Sequence, residues 1–229
     1  MKILNFVDMH GSVKVLSKIK EMAENADLII CAGDFSVWGR AQEAILRQFN
    51  SLKKPFIIIQ GNHESDAEVN GFCKEFKNLN YAHKRLLNVG EFLIVGYGGG
   101  GFSERDKDFE DFIEEVKDEL KDKKIIFVTH APPYGTTLDE LPKGHGGCKS
   151  FKEFLDKYKP LFYVCGHLHE NWGRKQLYKN QTLIINPGPF GKIVELAPTE
   201  EIFAAPKHSY TQTLLAATLS SNPETRHLR

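Results

Sequence analysis

The stretch Phe56-Ile57-Ile58-Ile59-Gln60-Gly61-Asn62-His63-Glu64 decides how the rest of this chain is read. Four consecutive apolar residues are followed almost at once by a glycine and by three side chains suited to binding metals or moving protons. A short unbroken apolar run reads as a strand covered on both faces. The polar loop at its carboxyl end sits where α/β sheets gather their ligands. The same grammar recurs on either side. The run Lys2 to Val7 leads into Asp8-Met9-His10, and Leu28 to Cys31 leads into Gly33-Asp34. Ile125 to Val128 precedes Thr129-His130, and Leu161 to Val164 precedes Gly166-His167-Leu168-His169. Leu183 to Ile185 precedes Asn186-Pro187-Gly188, which reads most simply as a turn. Five of the nine histidines fall in these blocks, so they form a convergent oxygen and nitrogen ligand set rather than scattered surface groups.

Helical patterns lie between the runs. Val69, Phe72, Cys73, Phe76 and Leu79 share one helical face, as do Phe109, Phe112, Ile113, Val116 and Leu120, and again Phe151, Phe154, Leu155 and Tyr158. Phe92 to Val95 adds a further strand. Near the end, Trp172 to Tyr178 and Gln181 to Ile185 flank Lys179-Asn180, which reads as a hairpin and makes the sheet arrangement mixed. Strands alternating with helices specify an α/β layered domain, with the polar blocks meeting along one sheet edge.

Composition narrows the function. The 229 residues suffice for one domain with a sizeable core, and thirty basic side chains balance thirty acidic ones. Duplex nucleic acid, which demands a cationic face, is therefore not the expected partner. The first apolar run is broken by Asp8 and is too short for a signal peptide or membrane span, so a soluble, cytoplasmic protein is expected. Cys31, Cys73, Cys148 and Cys165 form no CxxC pair and read as buried small hydrophobes, not thiolate ligands.

The ordered set Asp8-Met9-His10, Gly33-Asp34, Gly61-Asn62-His63-Glu64, His130 and Gly166-His167-Leu168-His169 resembles the calcineurin-like metallophosphoesterases, over roughly residues 1 to 195. The resemblance implies a four-layer α/β/β/α sandwich, two mixed sheets flanked by helices. It implies two divalent metal ions, with manganese, iron and zinc all suited to nitrogen and oxygen ligands. Asp8, His10 and His169 would hold the first ion, Asn62, His130 and His167 the second, and Asp34 would bridge them. The implied chemistry is phosphate-ester hydrolysis by a hydroxide shared between the ions, with His63 assisting the leaving group as general acid or charge stabiliser. Phosphodiesters, as small molecules or nucleotides, are the expected substrates. The branch indicated by Pro132-Pro133-Tyr134-Gly135-Thr136 is that of predicted phosphoesterases related to cyclic-nucleotide phosphodiesterases. Phosphomonoesterase or protein phosphatase activity comes second, because Phe35-Ser36-Val37-Trp38-Gly39-Arg40 replaces the Asp-Arg-Gly of the protein phosphatases. A non-catalytic scaffold of the same fold is the third reading.

Other segments are read by chemistry alone. Glu64 either adjoins the His63 function or caps the following helix. The glycines Gly96 and Gly98 to Gly101 allow close backbone approach to a phosphate or form a turn. The stretch from Ala131 to Gly147, with Tyr134 and His145, is read as lining the site entrance. Trp38 and Arg40 are either pocket residues or first-turn helix residues, and His83 is read as structural. From about Gly191 the text resembles the C-terminal segment of peptide-transporter ABC ATPase subunits, yet no GxxxxGK(S/T) phosphate loop exists to make an ATPase. The expected division is a metallophosphoesterase domain over 1–197 and an extension over 198–229, joined at a fusion or recombination junction or grown as a native amphipathic segment. Ile193 to Leu196 is expected as the last strand, and Tyr210 to Leu219 as a short docked helix.

Overall fold

The computed structural model describes residues 1–101 and 103–196; the proposed helix at Tyr210 to Leu219 and the whole 198–229 extension lie outside them. In chain order the elements begin β1 (Lys2–Phe6), α1 (Val13–Ala23), β2 (Leu28–Cys31), α2 (Gln42–Asn50), β3 (Phe56–Ile58), α3 (Asp66–Glu75) and β4 (Leu79–Tyr81). They continue with β5 (Arg85–Val89), β6 (Phe92–Tyr97), α4 (Lys107–Val116), β7 (Lys124–Thr129), β8 (Glu140–Leu141), β9 (Gly144–His145) and α5 (Lys149–Tyr158). β10 (Phe162–Val164), β11 (Lys175–Tyr178), β12 (Thr182–Ile185) and β13 (Lys192–Glu195) complete them.

Two mixed sheets result, beside a separate antiparallel pair of β8 and β9. One has the order β13-β1-β2-β3-β4, parallel except for β13. The other runs β11-β12-β10-β7-β6-β5, parallel in its centre with antiparallel edges. Continuous apolar runs arise because alternate side chains serve different layers. In β1 and just beyond it, Ile3 and Val7 enter the core between the sheets, while Leu4 and Phe6 pack toward α1, α2 and α3. In β7, Ile126 and Val128 face the same central core, while Ile125 and Phe127 meet α4 and α5. The three apolar layers thereby separate helices, sheet, sheet and helices, the four-layer sandwich expected. Phe49 and Phe56 stack with ring centroids 4.9 Å apart, and Phe6 meets Phe49 edge-on at 5.5 Å. Cutting any one of these rings back to alanine costs about 3–5 kcal/mol.

Several elements depart from the sequence reading. Leu79 is not on the α3 face: the helix ends at Glu75, Phe76 turns extended (φ −113°, ψ 116°), and Leu79 opens β4. Both side chains are still buried, so the hydrophobic period outlasts the helix. The sequence reading marks neither helix α1 nor the strands β4, β5, β8 and β9; it allows a helix after Asp34, and α2 begins there at Gln42. The expected hairpin is present: Lys179 and Asn180 both adopt left-handed backbone (φ 47° and 56°), Gln181 N–H closes the turn on the Tyr178 carbonyl at 3.0 Å, and Tyr178 pairs with Thr182. Its first strand starts later than read, at Lys175, because His169–Asn171 form a single 3₁₀ turn. The last strand falls at Lys192–Glu195 and pairs antiparallel with β1. All four cysteines are buried and unbridged. No helix among the described residues is long and apolar enough to cross a membrane.

Candidate metal centre

β1, β2 and β3 of one sheet and β7 and β10 of the other end side by side, so the polar loops meet at a seam between two sheets and not along one sheet edge. Two inner faces packed against each other bring their carboxyl ends together, which a reading of single strands does not reveal. His130 spans the seam. Its Nδ1 lies 2.9 Å from the Ala32 carbonyl, which can only accept, so Nδ1 carries the proton and Nε2 faces the loops. Glycines allow the approach: a Cβ on Gly61 would collide with Asp34 Oδ1, and one on Gly166 would collide with the Val7 side chain.

The backbone is strained where the side chains converge. Asp8 (φ 55°), His10 (φ 46°), Asp34 (φ 49°) and His167 (φ 67°) all hold left-handed conformations that a residue with a Cβ avoids. Each costs on the order of 1–3 kcal/mol and persists only where surrounding structure enforces it.

All seven sequence-predicted ligand residues are brought together. Ligand atoms of Asp8, His10 and His169 lie within 4.8 Å of one another, and so do those of Asp8, Asp34 and His130. His10 Nε2 is 3.2 Å from His169 Nε2. Asn62 Oδ1 is 2.9 Å from both His130 Nε2 and His167 Nδ1. Asp34 Oδ2 is 3.4 Å from His130 Nε2 and 3.9 Å from His63 Nε2. His63 is joined to Asp34 a second time, its backbone N–H donating to Oδ1 at 2.9 Å.

Burial opposes charge on both Asp34 and His130, but their mutual attraction outweighs it, holding the carboxyl low and the imidazole high. Burial pulls His10 and His167 below the usual imidazole range. The set suits a cation. Asp8 Oδ1 is a buried carboxylate oxygen with no hydrogen-bond partner, and the His10 imidazole, whose charged form burial disfavours, offers a lone pair beside it.

Glu64 does not cap α3. It reaches backward, accepting the N–H groups of Asp34 (2.9 Å), Gly61 (2.9 Å) and Ser36 (2.8 Å) and the Ser36 hydroxyl (2.7 Å). Burial, then the nearby Asp34 charge, pushes its pKa up. It ties the second and third polar loops together. Trp172 was read only as hairpin, yet its indole N–H donates to Asp8 Oδ2 at 2.9 Å and its ring lies 4.5 Å from that of His169. Nothing local in the sequence marks that contact, which joins opposite ends of the chain. Trp38 and Arg40 precede α2 rather than entering its first turn. The Trp38 ring stacks on His63 at 4.3 Å and 19°, and its backbone N–H points to His63 Nδ1 at 3.4 Å.

The glycine run packs inward: a Cβ on Gly98 would collide with Gln60, and one on Gly101 would meet the His167 ring at 2.5 Å. Its close approach is thus to protein, and it fixes the back of His167. Within the loop after His130, Asp139 is fully buried and gathers the N–H groups of Gly135, Thr136 and Gly147 together with His145 Nδ1. His83 accepts the Gly98 N–H at 2.9 Å, in keeping with a structural role. Asn186 is more than a turn: its side chain donates to the Leu168 carbonyl at 3.3 Å, steadying the loop that carries His167 and His169.

Several known proteins are similar to this chain in sequence or in fold. The chain is 29% identical over 202 residues to the uncharacterized protein MJ1162 of Methanocaldococcus jannaschii, covering 82% of this chain and 88% of that one. Its fold is similar to that of TT1561 of Thermus thermophilus, with a TM-score of 0.67 at 18% identity, covering 82% of this chain and 88% of that one. It is also similar in fold to a dimetal phosphatase from Danio rerio, with a TM-score of 0.58 at 10% identity over 81% and 86% of the two chains. A model of the oligopeptide/dipeptide transporter C-terminal region matches residues 194–229. The calcineurin-like phosphoesterase model matches residues 1–171, every motif included, and the chain belongs to that family.

Proposed function

We propose that this chain hydrolyses phosphate esters, phosphodiesters foremost, at a centre of two divalent cations. Asp8, His10 and His169 hold the first, Asn62, His130 and His167 the second, and Asp34 both. The observation that carries the reading is the position of Asp34: one carboxylate stands within reach of His130 and His63, and both it and Asp8 belong to a ligand-sized cluster with histidine nitrogen. The partnerless Asp8 Oδ1 supports the first site, and Asn62 Oδ1 shared by two imidazoles supports the second. That a protein of similar fold is a dimetal phosphatase favours two ions over one. The ligands are oxygen and nitrogen without thiolate, a set that manganese, iron and zinc share. When bound, such ions acidify water to supply a nucleophile and neutralise phosphoryl oxygens.

The protein's own groups do the rest. His63 Nδ1 faces the Trp38 N–H and accepts from it, so its proton sits on Nε2, the nitrogen aimed at Asp34. That N–H can donate a hydrogen bond to the departing oxygen and stabilise the charge growing on it, while delivery of the proton itself requires the imidazolium form. The Trp38 ring covers one face of the imidazole, and the Asp34 carboxylate stands 3.9 Å from its Nε2 and attracts that edge. Glu64 keeps the Asp34 and Asn62 loops in register.

Hydrolysis of bis-p-nitrophenyl phosphate and p-nitrophenyl phosphate, each with manganese added, tests the reading. Turnover of the diester at least equal to that of the monoester is expected. A large monoester preference overturns the diester assignment, and no hydrolysis of either with manganese, iron or zinc overturns the reading itself.

A further inference from the structure

A groove of about 520 Å³ opens beside His10, between the start of α1 and the start of α2. Met9 and Ile45, both buried, line it together with Val13, Leu16 and Ala44, and Arg40 and Gln48 add polar groups to its otherwise apolar lining. Val13 is 76% exposed and forms the outer rim of this apolar lining. Because His10 and Gly11 line the groove, it is continuous with the candidate metal centre.

The turn Val37–Arg40 separates the groove from His63. Arg40 N–H donates to the Val37 carbonyl at 3.0 Å, and Gly39 N–H donates to Ser36 Oγ, itself held by Glu64. The turn is thus anchored on the same carboxylate that orders the catalytic loops. It sends Trp38 onto His63 and leaves Val37 and Arg40 on the groove. The rings of His10 and His63 are 4.8 Å apart, so the groove starts one imidazole away from the proposed proton donor.

We infer that this groove binds the leaving group of the phosphate ester, and that the leaving group it takes is a flat, largely apolar ring. The inference rests on the phosphoesterase reading and adds the substrate's shape to it. An apolar slot joined to a polar, cationic centre suits a molecule with the same division, a charged phosphate carrying a ring. The alcohol whose oxygen His63 protonates then lies along α1 and α2, and burying its ring against Val13, Leu16 and Ile45 gives selectivity over small alkyl esters.

The test uses the manganese-loaded chain hydrolysing bis-p-nitrophenyl phosphate, with methylphosphonate and naphthylphosphonate as competitive inhibitors. Naphthylphosphonate is expected to bind at least about tenfold more tightly, the gain from covering one ring's apolar surface. Ala44→Phe fills the slot from the exposed side of α2, and Val13→Asp places a charge on its wall; each should bring the two inhibition constants together. Equal constants in the unaltered protein overturn the groove assignment, as does a ring preference that survives both substitutions. No hydrolysis at all defeats the phosphoesterase reading first, and this inference with it.

Discussion

The indole of Trp172 donates its N–H to Asp8 Oδ2 at 2.9 Å, leaving Oδ1 buried and without a partner. A hydrogen bond on one carboxylate oxygen fixes which oxygen a cation meets, and losing such an outer partner commonly weakens metal binding by about 10–100-fold. Trp172→Phe keeps the ring beside His169 and removes only the donor. Metal titration followed by calorimetry should show one weakened site and one site of ordinary affinity. Equal affinity at both sites would remove Trp172 from the centre.

Asp34 is proposed to serve both ions and His63 neither. Replacing Asp34 by Ala should therefore lower metal content at both positions, measured by elemental analysis after dialysis. Replacing His63 by Ala should leave about two ions per chain while turnover falls by roughly 100-fold or more, the usual scale for a lost general acid. A full metal complement in Asp34→Ala refutes the bridging assignment, and unchanged turnover in His63→Ala refutes the proton donor.

Glu64 collects three backbone N–H groups and one hydroxyl inside the protein. Glu64→Ala orphans all of them, and a loss of roughly 2–4 kcal/mol in urea unfolding is expected. Glu64→Gln retains an acceptor oxygen and should recover part of it. Stability unaltered in both variants would show that the loops hold their register without this side chain.

Far from the centre, Asp156 meets Lys152 Nζ at 2.6 Å, Tyr178 OH at 2.9 Å and Lys179 Nζ at 2.5 Å. Burial raises its pKa, but the two lysines and the phenol outweigh burial and hold it at about 2, below the ordinary 3.8. A carboxyl depressed on folding contributes stability above its unfolded pKa and loses it as pH falls through the folded one. Asp156→Asn should thus lower the unfolding free energy above about pH 4, by no more than about 1 kcal/mol for so exposed a cluster, with the difference closing toward pH 2. A gap that stays constant down to pH 2 would rule out the ionic origin.

The candidate site was largely legible because its chemistry is written in local dipeptides and tripeptides. Asp8 with His10 and His167 with His169 are near neighbours in sequence, and each pair follows a run whose strand character needs no partner to be seen. The fold was legible less evenly. The apolar runs of β2 and β7 announce themselves, whereas β5 reads Arg-Leu-Leu-Asn-Val, an edge strand with partly exposed side chains and no strong period. The α3 pattern ran on to Leu79 because a buried strand residue fell on the helical repeat.

Residue order by itself determined the layered α/β architecture and marked the seven polar side chains that converge, since strand period and turn chemistry act over a few residues. Tertiary structure alone decided that the centre lies between two sheets, that Glu64 turns back on the Asp34 loop, that Trp172 holds Asp8 and that a groove opens beside His10. Trp172 and Asp8 stand 164 positions apart and meet only because one inner sheet face packs on the other, whereas Glu64 reaches the Asp34 loop because β2 and β3 pair side by side.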